Sequence, residues 1–300
     1  MMFFRLLFSV FALLSLVSCA KLGQAHRFFL SSCAANGPEE ESDFDIKFPE
    51  FKLDEYYLSI KQKRERFIVH EETSIEYSGK RYPIYRISEE PQSNKPRLLI
   101  VAGVHGNEQA ALLAIPRIVS RVSEMSAESL AWELVVLTPV NPVGANFRSR
   151  YNSDGCDINR DFGAFTSNES KAIRKVINEV KPDLVIAPHE GPQSGFFMIA
   201  TAATSNALAS QLRAKVQEQG IELANKSFLG IRLSEPGLWK EGGAMSSLKK
   251  MIRLGSLGTY LDSMGIGTIT TESSWSSADV EARIESHVVT IMALLEINIR

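Results

Sequence analysis

Short apolar runs alternate with amphipathic stretches from about Phe51 to the C-terminus. Residues 66–87 hold two β-type runs around Ser78-Gly79-Lys80, a hairpin signal. Residues 97–104 (RLLIVAGV) are continuously apolar and read as a buried strand, followed by a helix over 108–122. A strand is predicted at 133–140, then a helix at 169–180 capped by Asn168. Strands follow at 183–187 and 195–200, then a helix at 203–219, a short helix at 256–264, a strand at 266–271 and a closing helix at 278–299. Strands alternating with helices predict an α/β fold with a mixed, largely parallel central sheet flanked by helices. In such sheets ligands sit at the carboxyl ends of the strands. No Pro/Gly/Ser linker and no repeat splits this region, so 46–300 reads as one domain.

Composition adds exclusions. The chain has 300 residues, 44% hydrophobic and 23% charged, which is ordinary globular material and not a disordered or fibrous chain. Lys and Arg number 33 against 35 Asp and Glu, so no basic surplus points to nucleic acid. Three cysteines are too few for a disulfide scaffold.

The N-terminus reads as an address. Residues 2–18 (MFFRLLFSVFALLSLVS) have one charge, Arg5, ahead of an apolar run too short to span a bilayer comfortably. Leu16-Val17-Ser18-Cys19 resembles the lipobox of bacterial lipoproteins, which implies cleavage before Cys19 and lipid on its thiol. The resulting expectation is a signal peptide over 1–18, a polar tether over 19–45 and an envelope protein facing the periplasm, held to a membrane through Cys19. Ala20-Lys21 lacks an Asp directly after the cysteine, which favours the outer membrane. Cys33 and Cys156 remain in the mature chain, and the sequence leaves their pairing open.

Candidate chemistry gathers after predicted strands. His105 begins His105-Gly106-Asn107-Glu108, His189 ends PDLVIAPH, and Glu272 ends IGTITTE. Two imidazoles and a carboxylate form an established zinc set, with a fourth position left for water. Gly106 would let the backbone turn sharply between His105 and Glu108. Each residue also has a plain reading. Glu108 could be a first-turn carboxylate behind an Asn107 cap, His189 a hydrogen-bonded core histidine, and Glu272 a strand end facing water. His70 reads as structural or surface, His287 as packed or exposed in the last helix, and His26 as part of the tether. Residues 150–162 (RYNSDGCDINRDF) form a polar loop whose arginines suit a carboxylate ligand.

Taken in order, HGNE, NP…R…GCDINRDF, APH and TITTE resemble the zinc metallocarboxypeptidases over roughly residues 60–300. The resemblance implies a zinc carboxypeptidase-like α/β/α sandwich and one Zn2+ held by His105, Glu108 and His189. Arg150 would polarise the scissile carbonyl and Glu272 would act as general acid/base. Asn159 and Arg160 would grip the substrate carboxylate, and Asp157 would orient the first zinc histidine. The chain departs from the family at Val143 and Asp161. It also lacks the mobile tyrosine of digestive members: Lys249, Lys250 or Met251 stands near that place, and Tyr260 is too close to Glu272. Glu190, next to His189, has no assigned role, and Leu257 speaks against strong selection for an acidic side chain. The short stretch after Glu272 leaves no room for the added β-domain of aspartoacylases and succinylglutamate desuccinylases. The compact exported plan is more similar to bacterial murein peptide amidases. The expected activity is therefore hydrolysis of an amide beside a carboxylate-bearing residue, in a peptide or murein peptide. An N-acyl amino-acid deacylase and a non-enzymatic peptide-binding lipoprotein are the alternatives.

Overall fold

The computed structural model describes Cys33, Gly37, Pro38 and residues 45–62, 64–90, 95–251 and 254–298, apart from the Lys250 side chain. The predicted signal segment, Cys19 and His26 lie outside them. The elements are α1 (Leu53–Lys61), β1 (Phe67–Tyr77), β2 (Lys80–Glu89), β3 (Arg97–Val101), α2 (Gln109–Glu124), β4 (Glu133–Thr138) and α3 (Pro142–Phe147). They continue with α4 (Asn168–Val180), β5 (Leu184–Gly191), β6 (Phe197–Ala200), α5 (Asn206–Glu218), β7 (Leu238–Lys240), α6 (Gly243–Met251), α7 (Leu257–Ser263), β8 (Gly267–Ser274) and α8 (Val280–Glu296).

One eight-stranded sheet runs in the order β1-β2-β4-β3-β5-β8-β6-β7. Its centre, β4-β3-β5-β8, is parallel. The β1–β2 hairpin joins it antiparallel through β2, and β6 lies antiparallel to β8. β3, β4 and β5 are buried along almost their whole length, as continuous apolar runs require when both sheet faces are covered. The predicted mixed, largely parallel sheet is therefore the observed one. α2, α5 and α8 pack together as part of its helical cover. Because β3 has β4 on one side and β5 on the other, the chain steps from β3 to β4 in one direction and from β4 back past β3 to β5 in the other, a switch point that leaves a crevice beyond the carboxyl end of β3.

Two elements missed in the sequence, α1 and α3, had local signals. α1 buries Leu53, Tyr56, Tyr57 and Ile60, the spacing of one helical face. α3 starts at Asn141-Pro142, with the Asn141 side chain accepting from Gly144 N and proline at the first turn. The cap of α4 is Ser167 rather than Asn168: Ser167 Oγ accepts from Ser170 N. Asp161 completes that corner, accepting from Thr166 N, Ser167 N and Ser170 Oγ. Cys33 is disulfide-bonded to Cys156, which ties the predicted tether to the loop carrying Asp157.

Candidate metal centre

β3 ends at Val101, and the chain runs as a loop through His105 before α2 begins. Gly106 is needed there for space rather than for a special turn. A Cβ on it would sit 2.0 Å from the carbonyl carbon of Gly144. The two backbones meet where α3 packs behind the loop. Glu108 occupies the N-cap position of α2 with non-helical angles, yet its side chain caps nothing. Its carboxylate instead spans two imidazoles, with Oε1 2.7 Å from His105 Nδ1 and Oε2 2.7 Å from His189 Nδ1. The plain readings of Glu108 as a dipole-complementing carboxylate and of Asn107 as the cap therefore fail.

The parallel register of β5 and β8 places His189 directly beside Glu272. Both strands run on past these residues, to Gly191 and Ser274, so His189 and Glu272 sit inside strands rather than at their ends. His105, Glu108, His189 and Glu272 are all buried. They line a cavity of about 300 Å³ together with Arg150, Asn159 and Arg160. Every catalytic, metal-binding and substrate-binding residue picked out in the sequence therefore reaches one cavity.

The arrangement fits a metal ion. The ligand atoms of His105, Glu108 and His189 lie within 4.8 Å of one another. His105 Nε2 is 3.2 Å from Asp157 Oδ1, a contact that places the ring proton on Nε2 and leaves Nδ1 as the donor atom. Burial disfavours the Glu108 carboxylate, but the two histidines outweigh it and hold the group well below the usual carboxylate range. Burial likewise opposes the His189 imidazolium, and the Glu108 charge overrides it to raise that group. Asp157 is also driven down: its desolvation is overcome by Arg150 and His105.

Arg150 is clamped by Asp157, which accepts from Nε at 3.1 Å and from Nη2 at 2.8 Å. Its Nη1 lies 3.2 Å from His105 Nδ1, beside the ligand cluster. Asn159 Oδ1 accepts from Leu257 N, which anchors the 158–160 turn to the start of α7. Arg160 lies close to the same wall, where its own backbone carbonyl leaves no room for a side chain at Gly255. Burial pushes the Glu272 carboxyl up to about 8; Glu108 and Glu190 add to the rise, against His189 and Arg150.

Glu190 borders this cavity, but its carboxylate is engaged behind the strand. Its Oε1 accepts from Arg283 Nε at 2.8 Å and Nη2 at 2.6 Å, and from Ser273 Oγ. Its Oε2 accepts from Ala110 N at 2.9 Å, the capping bond that Glu108 does not make. His287, fully buried, meets Ser273 Oγ and Thr271 Oγ1 at 3.0 and 2.9 Å. It belongs to this rear network and not to the metal cluster. His70 is exposed on β1. The sequence reading missed Ile199, Phe228 and Trp239 in the cavity wall; they come from distant strands and a loop, and no local signal joins them.

Residues 94–184 match the succinylglutamate desuccinylase/aspartoacylase catalytic domain family. Carboxypeptidase 2 of Trichophyton tonsurans is 27% identical over 200 residues, covering 58% of this chain and 36% of that protein. The chain thus spans about a third of the length of the curated relatives it matches. Among solved structures, a protein of Shewanella denitrificans OS217 assigned to the metallopeptidases superposes with a TM-score of 0.65 at 19% identity, covering 88% of this chain and 100% of that one. The murein-tripeptide amidase MpaA of Escherichia coli O157 superposes with a TM-score of 0.54 at 17% identity, covering 80% and 97%. The succinylglutamate desuccinylase/aspartoacylase of Rhodobacter sphaeroides reaches 0.50 at 16% identity, covering 84% and 68%.

Proposed function

We infer that this chain, a metallocarboxypeptidase/amidase-type hydrolase by fold and family match, cleaves an amide bond beside a residue with a free carboxylate. The observation that carries the reading is the convergence of His105, Glu108 and His189 in one buried cluster with Glu272 beside it.

Two imidazoles and one carboxylate are a zinc donor set, so His105, Glu108 and His189 would hold Zn2+. When bound, such an ion supplies Lewis acidity and makes water more acidic. The remaining work falls to the chain's own side chains. Arg160 and Asn159 would hold the substrate carboxylate and fix the scissile carbonyl in place. Arg150, kept charged by Asp157, would donate through Nη1 to the carbonyl oxygen as negative charge develops on it. The Glu272 carboxylate would take the proton of the attacking water and return it to the departing amine nitrogen. A carboxyl lifted toward neutrality suits both steps. Burial of all these groups strengthens their interactions with the substrate.

The favoured substrates are peptides, including murein peptides, as the structural likeness to a murein-tripeptide amidase suggests. The lipobox-like Leu16–Cys19 segment supports export and lipid anchoring in a bacterial envelope, where such peptides occur. The succinylglutamate desuccinylase/aspartoacylase family match keeps an N-acyl amino-acid deacylase as the second reading. The test is a mass-spectrometric panel of wall peptides and acyl-amino acids, each with a free or amidated terminal carboxyl. Free wall peptides are expected to be cleaved, with rates falling about 100-fold or more on amidation. Equal rates with and without the carboxyl would contradict the role of Asn159 and Arg160. Exclusive turnover of acyl-amino acids would replace the peptidase reading with the deacylase one.

A further inference from the structure

Helix α6 (Gly243–Met251) is amphipathic in the inverted sense. Its inward positions are polar: Ser246 donates to Asp262, and Lys249 pairs with Glu241. Its apolar residues Met245, Leu248 and Met251, three apart along one stripe, face solvent, Met251 at 64% exposure. A soluble helix normally places these residue classes the other way round. Across the cavity mouth, Leu229 and Ile231 are exposed on the loop between α5 and β7. That loop is held up by its own small core, in which Phe228 and Trp239 pack with Phe197, Ala224 and Leu233. Leu229, Ile231 and Met245 line the mouth itself. Five of the nine exposed large hydrophobics among the described residues therefore belong to two segments on either side of one opening, which separates them from scattered surface residues.

Charge in the same segments identifies the partner. Residues 225–233 (NKSFLGIRL) and 243–251 (GAMSSLKKM) contain Lys226, Arg232, Lys249 and Lys250 and no Asp or Glu, in a chain whose net charge is −2. Lys249 is held by Glu241, and Lys226 and Arg232 are exposed. A second copy of this chain fits poorly, because a two-fold contact would bring these cations against their own images. A polar wall polymer would leave the apolar stripe uncovered. An anionic bilayer answers both features, with apolar side chains entering the acyl boundary and lysines and arginines lying among the headgroups.

We propose that the rim formed by α6 and the 225–233 loop docks onto an anionic phospholipid surface, bringing the cavity mouth to the membrane. The docking adds a second membrane contact to any N-terminal lipid and is independent of which amide is cleaved. The test is hydrogen–deuterium exchange on the chain with its native N-terminus, with and without vesicles of phosphatidylglycerol or phosphatidylcholine. The comparison is the triple variant Met245→Ser, Leu248→Ser, Met251→Ser. Because both proteins share one N-terminus, local protection reports the rim and not the leader.

Phosphatidylglycerol should slow exchange in 225–233 and 243–251 about tenfold or more, phosphatidylcholine much less, and the triple variant should lose the effect. Binding to vesicles with unchanged exchange in both segments would overturn the proposal. So would equal protection by phosphatidylcholine, which would remove the anionic partner. Protection that grows with protein concentration in the absence of lipid would assign the rim to self-association instead.

Discussion

On one side of β5 and β8, His189 and Glu272 turn toward the cavity. One residue further along the same two strands, Glu190 and Ser273 turn toward α8. The two sides obey opposite electrostatic rules. At the rear, the Glu190 carboxylate is fully engaged by Arg283, Ser273 and a helix N–H, and both His287 nitrogens meet hydroxyls. Such a buried network holds one arrangement because every member has a partner. At the front, two carboxylates and two imidazoles crowd together, with His105 Nδ1 and His189 Nδ1 3.2 Å apart and Glu272 raised to about 8. That set fits a metal ion, and on the proposed function a cation and a substrate would complete it. The period-two alternation of a strand thus separates the cavity-facing groups from the groups that brace them.

The largest effect expected along this divide is on the front. Glu272→Gln should lower kcat by about 1000-fold or more, because the proton-transferring oxygen is lost, while metal content is unchanged. Kinetics together with elemental analysis check both halves of that statement. Activity within about tenfold of the parent would remove Glu272 from its role.

Breaking the rear should cost stability. Arg283→Met leaves Glu190 buried without its cation and should destabilise the fold by about 3–5 kcal/mol. Changing both residues, Glu190→Met with Arg283→Met, should recover most of that loss, since an apolar pair of similar size removes the stranded charge. Chemical denaturation distinguishes the outcomes. A double variant no more stable than the single would show that the pair is not an electrostatic unit.

His287 supplies one pH dependence of the rear, on the acid side of neutrality. Burial pushes its imidazole down to about 3, against an ordinary value of 6.5. Between those two values the unfolded chain binds a proton that the folded chain refuses. Stability contributed by neutral His287 is therefore complete above about 6.5 and is lost as pH falls toward 3, at up to about 1.4 kcal/mol per pH unit. His287→Gln should flatten that slope in unfolding measurements between pH 4 and 7. An unchanged slope would assign acid sensitivity to other groups. The smallest effect is expected for Thr271→Val, which removes one hydroxyl from His287 and should cost about 1–2 kcal/mol with kcat within a few-fold.

How much of this could be read in the chain follows from the range of each interaction. Buried strands such as 97–101 and 184–191 show as continuous apolar runs, so sheet class and site location were legible. The ligand residues were legible because each belongs to a short local pattern after such a run. Glu190 was not. Its partners Ala110, Ser273 and Arg283 lie 80 to 93 residues away, and nothing beside it in the sequence hints at them. α6 was hidden for a different reason. Its apolar stripe faces outward, so it adds no core-facing periodicity to the segment between β7 and α7. Gly106 was seen as necessary, but the cause, contact with Gly144 far along the chain, needed the fold.

Metal stoichiometry, measured on protein purified without chelator for the parent and for His105→Ala, Glu108→Ala and His189→Ala, decides whether the three residues share one ion. About one divalent ion per chain is expected in the parent, with zinc dominant, and loss of metal in each single variant while the fold persists. An ion retained after removal of His189, or a folded parent that binds none under saturating zinc, would contradict the convergence of these three residues on one cation.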